Sequence, residues 1–172
     1  LVQDKDYQNL IHAVAIVRND RRVRLMIIGD GPEKESFMQL SEQLKFDEDI
    51  NFYGTTNNPY ALMKQADIFV LSSKREGLPM SLIEALACGC RVVSTDCVSG
   101  PSEILKGGKY GRLVPVGDKS ALVSALLCSL DEKTDHHLND EAIQPFLVKT
   151  VCDKYSRLIL SLMKGRLCNE KN

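Results

Sequence analysis

No sign of charge dominates this 172-residue chain: 22 lysines and arginines stand against 23 aspartates and glutamates, for a net charge of −1. The charges are scattered rather than blocked, so nothing argues for a nucleic-acid surface. No apolar run is long enough to span a bilayer. No internal repeat or low-complexity tract is visible. Histidines number three. His12 falls on a helix flank and His136-His137 in a charged stretch, so none is placed as a base or a metal ligand. The six cysteines, Cys88, Cys90, Cys97, Cys128, Cys152 and Cys168, match no zinc-ligand spacing. Most lie in apolar runs, which predicts buried, reduced thiols in a cytosolic protein. What is there is ordinary: 44% hydrophobic and 26% charged residues, over a length that predicts one domain with a sizeable core.

Strand-like and helix-like runs alternate. Tyr7 to Asn19 carries an apolar stripe at Leu10, Ile11, Val14 and Val17. Val23 to Ile28 reads as a strand stopped by Gly29-Asp-Gly-Pro32, and 32–44 as a polar helix. Ile50 to Tyr53 is a short strand closed by Gly54, and 59–66 a short helix. Asp67 to Leu71 is a buried strand. Arg91 to Ser94 and Gly111 to Pro115 are further strands, around a helical turn at 101–105. Lys119 to Leu130 is a helix. Asp131 to Glu141 is polar and reads as a linker or surface loop. Ile143 to Leu167 is one long helical pattern, interrupted near Pro145. The expected fold is therefore α/β, a Rossmann-like doubly wound parallel sheet of five or six strands with a long C-terminal helix. The division expected is a nucleotide-binding domain over 1–130, with a linker and C-terminal helix over 131–172 packing on it. Ligands of such sheets bind beyond the carboxyl ends of the strands. The loops after Ile28, Tyr53, Leu71 and Ser94 are the candidate walls.

The most informative stretch is Glu76-Gly-Leu-Pro-Met-Ser-Leu-Ile-Glu84-Ala-Leu-Ala-Cys-Gly89. It follows the strand at 67–71 with a short loop holding one carboxylate, then a helix holding a second. Pro79 suits the first turn of a helix, where its missing N–H is unpaired in any case. Leu82, Ile83, Leu86 and Ala87 give the helix an apolar face, and Gly89 is placed to end it. Free amides around Pro79 to Leu82 would point into the crevice above the strand, where an anion settles. Two carboxylates beside an anion site suit a ligand that is phosphorylated and rich in hydroxyls, such as a nucleotide-sugar.

Other features read more plainly. Gly29-Asp30-Gly31 lacks the third glycine of a dinucleotide fingerprint and reads as a tight turn. Asp96 and Ser99-Gly100 wall the site or merely punctuate a loop. Cys88 and Cys90 flank Gly89 as packed small residues rather than a redox pair. Phe146, Tyr155 and Ile159 read as packing. Asp47-Glu-Asp49 precedes its strand, on the wrong side of the sheet for a metal site.

The order of these pieces resembles the C-terminal, donor-binding half of retaining glycosyltransferases of the GT-B fold, glycosyltransferase family 4 (glycosyl transferases group 1). The stretches that carry the resemblance are Lys5-Asp-Tyr-Gln-Asn-Leu-Ile11, Ile28-Gly-Asp-Gly-Pro32, Phe52-Tyr-Gly54, Ala66-Asp-Ile-Phe-Val-Leu-Ser-Ser73 and the run from Glu76 to Gly89. They continue with Val92-Val-Ser-Thr-Asp96, Gly100-Pro-Ser-Glu-Ile-Leu105 and Gly111-Arg-Leu-Val114. Arg91 stands where the family often has proline.

The resemblance implies roles for single residues. Glu76 would contact hydroxyls of the transferred sugar. Gly77, Leu78, Pro79 and Met80 would form the turn against sugar and diphosphate. Glu84 would accept from the ribose, Lys5 would meet the diphosphate, and Thr56, with Thr55, would lie beside the nucleobase. It further implies retention of configuration, no metal and no cofactor beyond the donor, a UDP-sugar by default. A hexosyl unit would pass to a glycan or lipid-linked acceptor in polysaccharide biosynthesis. That acceptor would be met by a preceding N-terminal domain that these residues lack, since Leu1-Val-Gln-Asp-Lys5 looks like a loop and the family's arginine before the lysine is missing. The expected result is a piece that binds donor weakly and transfers little or nothing. Self-association through the open cleft or the stripe at 143–167 is a further expectation. The location implied is cytoplasmic, and peripheral at the inner face of the membrane for the full-length enzyme. The rival readings are a non-catalytic nucleotide-sugar-binding module and a GT-B fold epimerase.

Overall fold

The computed structural model describes residues 1–169, with the side chains of all but His136 and 164–169. After a 3-10 turn at Gln3–Lys5, the elements are α1 (Tyr7–Val17), β1 (Leu25–Ile28), α2 (Lys34–Gln43), β2 (Ile50–Gly54), α3 (Pro59–Met63) and β3 (Ile68–Leu71). They continue as α4 (Met80–Ala87), β4 (Arg91–Thr95), α5 (Pro101–Ile104), β5 (Arg112–Val114), α6 (Lys119–Asp131), α7 (His136–Ile143) and α8 (Val148–Asn169). All strand pairs are parallel, as strands joined by helical crossovers must be. The pairing forms two ladders, β1-β2 and β3-β4-β5, rather than one continuous sheet.

Strand β4 shows why helices cover both faces. Four of its five residues are buried, and alternate side chains point opposite ways. Val93 enters a cluster with Leu10, Ile11, Val14 and Val17 of α1, Leu122 and Leu126 of α6, and Ile27 of β1. Val92 enters a second cluster with Leu82 and Leu86 of α4, Ile104, Leu105 and Tyr110. The first cluster also holds side chains of both ladders, so one core spans them. Each fully buried aliphatic side chain contributes about 1.5–3 kcal/mol through loss of contact with water.

Three expectations are corrected. The tract at 131–141 is a loop only at 132–135: α7 begins at His136, and Asp135 caps it by accepting from the amides of His137 and Leu138. Ala142 is buried there, and Asn139 donates from Nδ2 to the Cys90 carbonyl at 3.0 Å. Over its described side chains, up to Met163, the C-terminal helix leaves its apolar stripe uncovered. Leu147 is extended (φ −63°, ψ 138°) and breaks the helical run. Tyr155, Leu158, Ile159 and Leu162 of α8 are exposed, whereas Phe146 packs on the second cluster. Finally, Cys90 and Cys97 are buried and Cys88 half-buried, but Cys128 and Cys152 are exposed, each on a helix face turned outward. The Cys168 side chain lies outside the described ones. No helix among the described residues is long and apolar enough to cross a membrane.

Candidate active site

Parallel β3 and β4 end side by side at Leu71↔Ser94, so the loops that leave them meet at one edge. The loop after β3 carries Ser72 to Pro79 and the loop after β4 carries Asp96 to Gly100. A third piece of chain, Asp4 to Asp6, is fastened beneath the first. Ser72 Oγ donates to the Lys5 carbonyl at 2.7 Å, and the Lys74 amide donates to the Asp4 carbonyl at 2.7 Å. Lys74 pairs with Asp6 at 3.4 Å, and Arg75 with both oxygens of Asp4. Asp6 adopts a left-handed conformation (φ 49°), which ends the 3-10 turn and starts α1.

This fastening sets Lys5 against Glu76. The Lys5 ammonium donates to Glu76 Oε1 at 2.7 Å, and Ser73 Oγ donates to the same oxygen at 2.6 Å. The Glu76 side chain is only 11% exposed, while that of Lys5 is 41% exposed. A carboxylate so nearly buried needs both partners, because an unpaired buried charge is costly. Support continues inward: Thr95 Oγ1 donates to the Ser73 carbonyl at 2.5 Å. Burial, and after it the Glu76 charge, raises the pKa of the nearby Tyr7 phenol.

The turn from Gly77 to Pro79 rests on the other loop. Ser99 Oγ donates to the Glu76 carbonyl at 3.0 Å. Gly100 (φ 87°) lies so close that a Cβ there would stand 2.3 Å from the Gly77 carbonyl oxygen and 2.5 Å from Pro79 Cδ. Ser99 and Gly100 thus brace the 77–79 turn. Pro79 stands one position before the helix, as its N-cap, rather than in the first turn. The Leu82 amide is taken by the Pro79 carbonyl at 3.0 Å. The amides of Met80 and Ser81 precede any intrahelical acceptor and remain for an anion. Leu78 (51% exposed) and Met80 (56%) flank them on the surface.

Glu84 lies one turn along α4 from Met80, on the half-exposed side of the helix. Its Oε1 accepts from the Tyr60 phenol at 3.3 Å, and this carboxylate holds the phenol's pKa above its usual value. The Thr56 hydroxyl is engaged locally: it accepts from the Asn58 amide at 3.2 Å and closes the turn before α3. Asp49 pairs with Arg18 at 2.8 Å, at the amino end of β2 and away from the site. Among the described residues, two surface hollows are lined by residues of 18–23 with Asp49, and by residues between Lys34 and Phe52; neither includes the 76–84 run. Tyr60, Ser73 and Thr95 went unnoticed in the sequence. Ser and Thr at strand ends look like packing, and only the folded register turns their hydroxyls to the loop.

The arrangement is a fixed cation and two open amides beside two carboxylates, each held through Oε1 and each with Oε2 to spare among the described contacts. The family model described as "Glycosyl transferases group 1" matches residues 1–144. The chain is 34% identical over 132 residues to the N-acetylgalactosamine-N,N'-diacetylbacillosaminyl-diphospho-undecaprenol 4-alpha-N-acetylgalactosaminyltransferase of Campylobacter jejuni, covering 77% of this chain and 36% of the relative. It is 30% identical over 149 residues to the lipopolysaccharide 1,6-galactosyltransferase of Escherichia coli K12, covering 83% and 42%. Among solved structures, the lipopolysaccharide outer core galactosyltransferase WaaB in its apo form superposes with a TM-score of 0.79 at 28% identity, over 92% of this chain and 45% of that one. Anabaena HepE in complex with UDP shares the fold with a TM-score of 0.85 at 23% identity, over 94% and 46%. The chain spans less than half the length of each of these proteins.

Proposed function

Because this chain belongs to the glycosyl transferases group 1 family, we propose that it is the donor-binding part of an enzyme that moves a hexosyl unit from a nucleoside-diphosphate sugar to a glycan or lipid-linked acceptor. The observation that carries this reading is the Lys5–Glu76–Ser73 grouping at the open start of α4, with Glu84 one turn further along. A UDP-sugar is the donor of choice, in keeping with the UDP bound by the Anabaena structure of the same fold.

The chemistry follows from charge. As the sugar–phosphate bond breaks, negative charge grows on the diphosphate. Lys5 keeps two of its three donors free of Glu76, and the open Met80 and Ser81 amides would add theirs. Removing one such preorganised donor typically costs about a hundred- to a thousandfold in rate. Positive charge grows at the anomeric carbon, where Glu76, held rigid by Lys5 and Ser73, is suited to accept from sugar hydroxyls. Gly77 to Met80 would supply the backbone floor beneath the sugar and diphosphate. Glu84 has an oxygen left for the ribose. The Thr56 hydroxyl is engaged in its own turn, so any part it plays beside the base would fall to its backbone or methyl group.

The reaction would retain anomeric configuration and need no metal, so transfer should survive a chelator. Acceptor contact would fall outside these residues, which leaves the chain by itself a binder of donor with little or no turnover. The place of action would be the cytoplasm, at the membrane's inner face when the acceptor is lipid-linked. A thermal-shift panel of UDP, GDP, ADP and dTDP tests the reading. A nucleotide at a hundred times its Kd adds about 2.7 kcal/mol, or roughly 5–10 °C in a chain of this size. Glu84→Ala should cut the shift to a small part of the wild-type value. An equal shift in the variant, or no shift from any of the four, would overturn the assignment.

A further inference from the structure

We propose that Tyr60 is a positioning residue that aims the Glu84 carboxylate at the ribose hydroxyls and so sets a preference for ribonucleotides over 2′-deoxyribonucleotides. The inference rests on the reading of Glu84 as the ribose acceptor.

Three observations carry it. First, the phenol's place is fixed from behind. Thr56 Oγ1 accepts from the Asn58 amide, Asn58 Oδ1 accepts from the Ala61 amide at 3.3 Å, and Pro59 occupies the first helical position. Tyr60 follows as the second residue of α3, with little backbone freedom left. Second, Tyr60 meets α4 at two levels one turn apart. Its hydroxyl donates to Glu84 Oε1 at 3.3 Å, and its carbonyl accepts from Cys88 Sγ at 3.9 Å. Third, among the described residues the phenol is the one side chain that hydrogen-bonds Glu84, and Glu84 forms no salt bridge.

The choice of partner matters. A lysine or arginine would orient the carboxylate but also neutralise it. A neutral phenol selects one rotamer of a mobile glutamate and leaves the charge, Oε2 and a lone pair on Oε1 for a vicinal diol. The phenol, protonated at neutral pH in any case and pushed further up by Glu84, stays a donor there. Tyr60 is 46% exposed, so losing its hydroxyl leaves no cavity.

The test is calorimetric titration of UDP, GDP and ADP, each against its 2′-deoxy counterpart, into the wild-type chain, Tyr60→Phe and Glu84→Ala. The nucleotide held most tightly by the wild type serves as reference. Tyr60→Phe should weaken the ribonucleotide about three- to tenfold and leave the deoxy form unchanged, with a melting temperature within about 2 °C of wild type. Glu84→Ala should reduce the ribo-to-deoxy ratio to about one. If Glu84→Ala collapses the ratio and Tyr60→Phe does not, the role of Tyr60 is overturned alone. If both forms weaken together in Tyr60→Phe, it acts on the fold or the base and the inference also fails. If Glu84→Ala keeps the ratio, or no nucleotide binds the wild type, the ribose reading itself falls.

Discussion

Replacing Gly100 by alanine should damage the donor site from the neighbouring loop, by displacing the 77–79 turn proposed to lie beneath the sugar and diphosphate. Two costs are readable. Gly100 has φ 87° and ψ −72°, a conformation that a residue with a Cβ adopts at a cost of about 1–3 kcal/mol. The new Cβ would also stand 2.3 Å from the Gly77 carbonyl oxygen and 2.5 Å from Pro79 Cδ. Carbon contacts ordinarily settle near 3.5–4.0 Å, so the 77–79 turn must retreat by about 1 Å, at about 1–3 kcal/mol more. Gly107 supplies the control. Its φ is also positive (63°), but nothing lies within 4 Å of its Cβ direction, so Gly107→Ala carries the backbone cost of about 1–2 kcal/mol alone. Thermal unfolding should therefore place Gly100→Ala below Gly107→Ala, with about 2–4 °C lost per kcal/mol. In calorimetric titration, Gly107→Ala should bind UDP like wild type. Gly100→Ala should lose at least about tenfold, since a 1 Å misplacement of a positioning element is costly. Wild-type UDP affinity in Gly100→Ala, or equal melting of the two variants, would refute the reasoning.

The thiols give two further tests. Cys128 and Cys152 are exposed while Cys90 and Cys97 are buried, so iodoacetamide at pH 8 should label the first two in the folded protein and the second two only after unfolding. Rapid labelling of Cys90 would contradict the packing described for the second cluster. Burial, with Cys88 nearby, pushes the Cys90 thiol up to about 11 from a usual value near 9. The unfolded chain then loses this proton first as pH rises, so the stability from Cys90 is whole below pH 9 and falls away between about 9 and 11, by on the order of 1–2 kcal/mol. Cys90→Ala should flatten that part of a denaturation–pH profile, and an unchanged slope would count against it.

The strands were legible because parallel strands covered on both faces are short apolar runs between loops. Ile68–Leu71 and Arg91–Thr95 fall within a residue of where their sequences place them. The amphipathic stripe of α1 was equally clear. The helix at His136–Ile143 was hidden by its polar composition; the Asp135 cap was its one local signal. For α8 the sequence left two readings, packing on the domain or an uncovered stripe, since an apolar stripe states that a helix can be covered and not what covers it. At the site, the two glutamates were visible as types at a spacing, and Lys5 through the family resemblance alone. Their partners were not. Ser73, Thr95 and Ser99 act through hydroxyls whose directions depend on how β3 and β4 end together, and Tyr60 meets Glu84 across 24 residues.

The central claim is that the start of α4, between the two glutamates, holds the donor's diphosphate and ribose. The most direct measurement is backbone amide chemical-shift mapping by NMR as UDP is added to the chain. The prediction is that the largest changes fall on Gly77, Leu78, Met80 to Leu82, Glu84 and Lys5. Changes confined to the hollows around Arg18–Val23 or Lys34–Phe52, with the 76–84 amides unmoved, would contradict it.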